Sequence, residues 1–202
     1  MWLNNVIYEN RVIENERLEL NDQHSLYFLG PNLTLRRCTL VLGVPAKRLH
    51  VTETRIIECT IEVSRLLKNF LWDSVHLDSC KFKGCFVGNV FGDSRDATHA
   101  SIVNCDFSSA YVNETRFVHC DVRTLRFPSW PCFTLFDPMR RAAELAALPW
   151  PGKKGHIIAQ LFAEEPASSV ALTYAAPELA KFCGTTPEAI KALIERLDGV
   201  YY

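Results

Sequence analysis

The sequence has no excess of charge of either sign and no long apolar run. Its 202 residues contain 22 Lys and Arg against 23 Asp and Glu, which gives a net charge of −1. This balance argues against a general nucleic-acid binder and equally against an acidic mimic of DNA. Because no run of about eighteen apolar residues occurs, no transmembrane helix is predicted. The first residues lack the basic and apolar segments of a secretory signal, so we expect a cytoplasmic protein.

The sequence also lacks the common signatures of enzymes and metal sites. It has no phosphate loop, dinucleotide fingerprint or hydrolase elbow. Eight cysteines are present, but none forms a Cys-x-x-Cys pair, and the six histidines are scattered. His119 adjoins Cys120, yet neighbouring residues of an extended strand point to opposite faces, which excludes a nucleophile–base pair. We therefore expect no enzymatic activity, no cofactor and no metal.

What the sequence does have is a five-residue period between Phe70 and Phe127. A small or apolar residue returns at every fifth position, and a second apolar residue follows two positions later; only Arg95 and Gly92 depart from this rule. The first series is Phe70, Val75, Cys80, Cys85, Val90, Ala100, Cys105, Ala110, Thr115, Cys120 and Leu125. The second is Trp72, Leu77, Phe82, Val87, Ala97, Ile102, Phe107, Val112, Phe117, Val122 and Phe127. A period of five fits neither a helix nor a flat strand, so it indicates a structural repeat.

The repeat predicts a coil with four short sides. Ser, Gly, Asn, Thr and Glu fill most positions two residues after the second series, and several of these are common turn residues. Residues 104–108 and 119–123 each contain a small residue, then an acid, then Phe or Val. In this they resemble the bacterial pentapeptide-repeat family. The resemblance implies a right-handed, four-sided β-helix whose coils stack at the strand spacing of about 4.8 Å.

The periodicity divides the chain into three parts. Residues 1–32 follow the five-residue frame poorly and are predicted to form an irregular capping coil. Residues 33–136 are predicted to form the β-helix, with most cysteines pointing inward and with Cys80, Ala100 and Cys120 above one another. Residues 137–202 are predicted to be a small helical domain, so the fold class is mainly β plus α. The helices of this C-terminal domain are expected at 139–148, 156–163, 177–183 and 187–197.

One column of outward positions is apolar and is the predicted partner-binding surface. Leu71, Phe91 and Tyr111 are spaced by twenty residues, and His50 precedes them by one coil. Phe86 occupies an outward position of a neighbouring column. An apolar stripe of this kind is normally covered. Two interpretations remain open: the C-terminal helices dock there, or a partner protein or a second copy of the chain binds there.

Residues 176–195 resemble a helix-turn-helix. The positions that would face DNA are Thr186, Glu188 and Lys191, at the start of the second helix. A recognition helix normally carries several Arg, Lys, Asn or Gln in its first turns, whereas Lys191 stands alone here. The segment from 137 onward holds seven basic and eight acidic residues, so it has no basic face. A packing unit of two helices is therefore favoured over a DNA-binding one.

These patterns favour a non-enzymatic scaffold that binds another protein. The form we favour is an immunity protein that neutralises a toxin or effector. One alternative, implied by the family resemblance, is a DNA mimic that interacts with topoisomerases, although residues 1–136 carry fifteen basic and fifteen acidic residues. The other is a DNA-binding regulator acting through residues 176–195. The sequence does not identify the partner.

Overall fold

Short strands separated by tight corners build the first two thirds of the chain in the computed structural model, which describes residues 3–93, 95 and 98–202. Many corners hold a residue with positive φ, such as Asn10, Asn32 and Asn104, because Asn tolerates that backbone region. The strands are β1 Asn4–Tyr8, β2 Arg11–Glu14, β3 Arg17–Leu20, β4 Ser25–Leu29, β5 Leu33–Arg36, β6 Thr39–Leu42, β7 Leu49–Val51, β8 Thr54–Ile57, β9 Thr60–Val63, β10 Leu67–Lys68, β11 Leu71–Trp72, β12 Val75–Asp78, β13 Lys81–Val87, β14 Val90–Phe91, β15 Ser101–Val103, β16 Asp106–Asn113 and β17 Thr115–Val118.

These strands stack in parallel and form a β-solenoid, as the sequence predicts. The first side contains β1, β4 and β7, followed by β11, β14 and β17. The second side is β2-β5-β8-β12-β15, and the third runs from β3 through β6 and β9 to the first part of β13. A fourth side begins at β10, which pairs with the end of β13, and that end in turn pairs with the end of β16.

Aromatic rings and thiols fill the interior of the solenoid. Phe91 stacks between Trp72 and Phe117, at ring-centroid distances of 5.3 and 5.4 Å. Phe82 and Phe107 stack beside them at 4.2 Å. All of these side chains are fully buried, so the aromatic column is the centre of the core.

The start of the chain is regular, and the prediction that residues 1–32 form an irregular cap was wrong. Strands β1, β2 and β3 pair in register with β4, β5 and β6 along their whole lengths. For example, Ile13 lies opposite Leu35, and Leu18 lies opposite Leu40. The sides of this first coil are uneven in length, so a five-residue frame does not detect it.

The five-residue frame also slips by one residue after Phe82. Gly84 and Gly88 occupy two successive corners with positive φ, and they are four residues apart rather than five. The side between them is therefore one residue short, which reverses the predicted inward and outward positions that follow it. Phe86 and Phe91 point inward, whereas Cys85, Val87 and Val90 are only partly buried. The predicted inner position Ala97 lies outside the described residues.

A longer loop after Gly92 restores the frame and changes the cysteine column. Cys38, Cys59, Cys80 and Cys105 lie one above another, because Lys81 pairs with both Thr60 and Asp106. The predicted stack of Cys80, Ala100 and Cys120 was therefore wrong, since the loop makes this coil longer than the frame assumes. All eight cysteines are free thiols.

The C-terminal part is an α/β extension rather than a purely helical domain. Strand β19 (Ser169–Ala175) pairs antiparallel with β17 and so continues the first side. Strand β18 (Cys132–Phe136) pairs with β19 on its other edge, and β20 (Val200–Tyr201) follows β18. The helices are α1 Ala142–Ala147, α2 Gly155–Ala163, α3 Ala176–Cys183 and α4 Pro187–Ile194.

The extension differs from its prediction because its strands lie far apart in sequence. Strand β19 alternates poorly and is buried on both faces, so no period of two marks it. The helix ends near α3 and α4 agree with the sequence: Gly184 ends α3 at φ 72°, and Thr186 caps α4 by accepting a hydrogen bond from the Ala189 amide. Within the described residues, no helix has the length and apolar character needed to cross a bilayer.

Candidate protein-binding site

Two of the five predicted surface residues are core residues. Phe86 and Phe91 have no exposed surface, so the prediction that they face outward was wrong. The cause is the one-residue shortening of the side between Gly84 and Gly88. Leu71 lies opposite Val90, which lies opposite Arg116, so the predicted apolar column of Leu71, Phe91 and Tyr111 does not form.

The other predicted residues on the first side, His50 and Leu71, border a gap in the wall of the solenoid. Strands β7 and β11 are successive on this side but do not pair. In the described chain, no backbone hydrogen bond joins residues 49–52 to residues 70–73, although the ladder resumes where the Thr54 amide donates to Ser74 at 3.4 Å. A cleft of about 640 Å³ lies between the two strands. We call it the wall cleft.

The wall cleft arises where the solenoid changes from three strand-bearing sides to four. Below it, residues 43–48 connect the third and first sides through a short 3-10 turn, Ala46–Arg48. One coil later, β10 occupies that position and starts the fourth side. Because the cross-section gains a side there, β11 is not held over β7.

The wall cleft offers both apolar surface and unpaired strand edges. Leu66 and Leu71 line it and are 44% and 54% exposed. His50 is exposed and stacks on Phe28 at a centroid distance of 4.8 Å. The edge of β7 that faces away from β4 is free to accept another strand, and such edges are usually protected in natural proteins.

Leu66 is a residue of this site that the sequence reasoning missed. The five-residue frame placed Leu66 inside, paired with Ser64, but Leu67 is the buried residue and Leu66 is exposed. The signal was present: counting back in fives from Leu77 and Trp72 reaches Leu67.

Tyr111 belongs to a different surface, under helix α3. It lies opposite Cys85 on the fourth side and is half-buried. Burial and the neighbouring Glu178 carboxylate of α3 raise the pKa of Tyr111 to about 12. Helix α3 therefore lies near Tyr111, whereas Leu71 is 54% exposed.

Two of the three helix-turn-helix-like residues, Thr186 and Lys191, contact other residues of the extension. Thr186 caps α4, and Lys191 forms an ion pair with Glu195 at 3.8 Å. The Lys191 ammonium also lies 5.3 Å from the centre of the Trp130 ring. Glu188 is exposed in the first turn of α4. A carboxylate there and a paired lysine give no basic surface for a phosphate backbone.

Charges on the outer faces of the solenoid are paired between coils. Glu62 bridges Arg17 and Lys83, at 3.3 and 3.7 Å, across the third side. Glu14 contacts Arg36 and Arg37, at 3.2 and 3.5 Å, on the second side. These faces are therefore mixed in charge, whereas a mimic of DNA needs a continuous acidic surface.

The cysteine thiols are expected to be unreactive in the folded chain. Burial raises the pKa of Cys59 and of Cys120 to about 12, so both remain protonated at neutral pH. His119 directs its Nδ1 to the backbone oxygen of Asp93 at 2.7 Å. In the described residues, no three His, Cys, Asp or Glu side chains are grouped as a metal site would require.

Comparisons with known proteins add one similarity of fold. No protein-family model matches the chain, and no curated protein matches it by sequence. Among solved structures, the chain is similar to full-length QnrB1, described as a plasmid-mediated fluoroquinolone resistance protein, with 11% identity over 61% of this chain and 82% of QnrB1. The TM-score is 0.17, so no argument rests on this similarity. The strand pairing described above is what establishes the solenoid.

Proposed function

We propose that the protein is a non-enzymatic scaffold of the pentapeptide-repeat type that binds another protein at the wall cleft. The observation that carries this proposal is the missing pairing between β7 and β11, together with the exposed Leu66 and Leu71 beside it. An extended segment of a partner can add to the free edge of β7 through backbone hydrogen bonds, and its apolar side chains can cover the two leucines.

The experiment uses a photo-crosslinking amino acid in place of Leu71, in cells that normally produce the chain. The control places the same amino acid at Val12, which is 63% exposed but lies on the second side of the first coil. We expect a discrete adduct with one other protein from position 71 and none from position 12. Hydrogen exchange of the purified complex should show slower exchange at residues 49–52 and 70–73.

Two results would count against this function. Adducts of equal yield from both positions would mean that Leu71 marks no specific surface. An adduct containing only two copies of the chain would make the cleft a homodimer interface instead. Neutralisation of a toxin is the finer form of the proposal, and it predicts that the crosslinked partner inhibits growth when expressed alone. Co-expression with the native chain should restore growth, whereas co-expression with Leu71→Asp should not.

The paired charges of the outer faces argue against the DNA-mimic alternative. The side-chain contacts of Lys191 argue in the same way against a DNA-binding regulator. Binding of another protein remains the function that the exposed features favour.

A further inference from the structure

A second cavity, of about 430 Å³, lies where α2 and α3 pack over the last coils of the solenoid. We call it the seam pocket. One wall is a corner of the solenoid, the opposite wall is formed by α2 and α3, and the floor comes from β17 and β19. Its polar lining includes Glu114, Arg116, Glu164, Glu165, Tyr174 and Glu178.

One of these carboxylates is neutralised, and three are not. Arg116 donates from Nε and from a terminal nitrogen to the two oxygens of Glu165, at 2.8 and 2.9 Å. In the described part of the chain, Glu114, Glu164 and Glu178 form no ion pair and accept no side-chain hydrogen bond. The seam pocket therefore has an excess of negative charge around the Arg116–Glu165 pair, in which the glutamate is buried and the arginine side chain is 41% exposed.

A largely buried tyrosine whose hydroxyl has no partner among the described residues is the second observation at this site. Tyr174 is only 8% exposed and lines the seam pocket. Among the described residues, its hydroxyl has no hydrogen-bond partner, although a buried tyrosine usually finds one. Burial and the charges of Glu165 and Glu114 raise its pKa, so this hydroxyl stays protonated and available for a hydrogen bond to a ligand.

The negative charge of the pocket also reaches neighbouring groups. After burial, the Glu178 carboxylate is the next cause of the raised pKa of both Cys85 and Tyr111. A positively charged ligand would be stabilised in this field.

The rim of the seam pocket is apolar. Leu161 and Phe182 line it and are 42% and 41% exposed. The Lys154 ammonium lies 5.1 Å from the centre of the Phe182 ring, which shows that this ring accepts a cation. A ligand that matches the pocket therefore has a positive end for the carboxylates and the Tyr174 hydroxyl and an apolar stem for the rim.

We propose that the seam pocket binds a guanidinium or ammonium group on an apolar stem, as at the end of an arginine or lysine side chain of a partner protein. The proposal goes beyond the wall cleft and does not rest on it, although Asn69 borders both cavities. If crosslinking at position 71 failed, the chemistry of the seam pocket would be unaffected.

The test is an NMR titration of the full chain with N-acetyl-arginine amide. The matched control ligand is N-acetyl-citrulline amide, which has nearly the same shape but no charge. We expect saturable amide shifts around α2, α3 and β19 with the arginine compound only, and weaker binding at higher salt. Glu178→Gln should weaken binding about threefold to fivefold, as expected for loss of a partly exposed ion pair. Tyr174→Phe should weaken it by a similar factor through loss of one hydrogen bond.

The control variant is Glu188→Gln, which makes the same change of charge at an exposed position outside the pocket. Its affinity for the arginine compound should equal that of the native chain. Equal binding of the citrulline compound, no saturable shifts, or equal weakening by Glu188→Gln and Glu178→Gln would each overturn the proposal. A parallel titration with spermidine identifies the source of the cation: tighter binding of spermidine, weakened by Glu178→Gln, would assign the pocket to free polyamines with the same chemistry.

Discussion

Replacing Phe91 by Ala should destabilise the protein strongly. The shortened side between Gly84 and Gly88 turns this ring inward, into the centre of the core. The Phe91 ring stacks on Trp72 and Phe117, and it meets Phe82 and Phe107 edge-on at 5.3 and 5.0 Å. It has no exposed surface and rigid neighbours on every side, so the cavity cannot collapse easily. We expect a loss of about 3–5 kcal/mol in the free energy of unfolding, the usual cost of Phe→Ala in a packed core.

The matched control is Leu71→Ala, one coil away on the same side but 54% exposed. A surface truncation of this kind changes stability by about 0.5 kcal/mol or less. Urea unfolding followed by far-ultraviolet circular dichroism and by tryptophan fluorescence measures both variants, and Trp72 reports directly on the altered contact. An unbroken five-residue frame would place Phe91 on the outside. A cost below about 1 kcal/mol for Phe91→Ala would therefore refute the inward position of this ring.

Three further predictions concern a glycine corner, two cysteine thiols and the ion pair between Arg116 and Glu165. Gly84→Ala should destabilise far more than Gly184→Ala in thermal melts: both have positive φ, costing about 1–2 kcal/mol for Ala, but a Cβ at Gly84 would lie 2.2 Å from a backbone oxygen while Gly184 has nothing within 4 Å; equal losses would contradict the packing of this corner. The raised pKa values of Cys59 and Cys120 mean that the unfolded chain loses these protons first, so the contribution of these thiols to stability should be constant below about pH 9, and stability should fall between pH 9 and 12, by at most about 1.4 kcal/mol per pH unit for each thiol; rapid alkylation of the native chain at pH 8 would contradict this protection. Glu165→Gln should cost about 1 kcal/mol in urea unfolding, because the Glu165 carboxylate is buried but the Arg116 side chain is 41% exposed and solvent screens the pair; an unchanged or higher stability would contradict this.

Much of the solenoid was predictable because its core positions recur at a fixed spacing. Trp72, Leu77 and Phe82 follow the frame and are buried as expected. The five-residue frame failed after Phe82, where a side of the solenoid becomes shorter but the types of residue stay the same. Gly84 and Gly88 mark the shortened side, but glycines are compatible with corners at either spacing, so the sequence alone did not decide between them.

The candidate sites were less predictable because they depend on pairings that fail or that join distant segments. The wall cleft exists because β7 and β11 do not pair, and no residue in either strand forbids pairing. The seam pocket brings Glu114 together with Glu178, which are distant in sequence and meet only because β19 pairs with β17. His50 and Leu71 were predicted as surface residues from a column that does not form, although both border the wall cleft.

The antiparallel closure of the solenoid by β19 also constrains how the chain folds during synthesis. The parallel coils can form one by one as the chain leaves the ribosome, since most strands, with β10 and β11 as exceptions, pair with a strand of the coil made just before them. The exposed edge of β17, in contrast, waits for Ser169–Ala175, which is synthesised only after β18, α1 and α2. Until that segment emerges, the nascent chain presents an open edge on which two copies of the unfinished protein can associate. Translation through residues 119–175 is therefore the interval in which this chain most needs protection by chaperones.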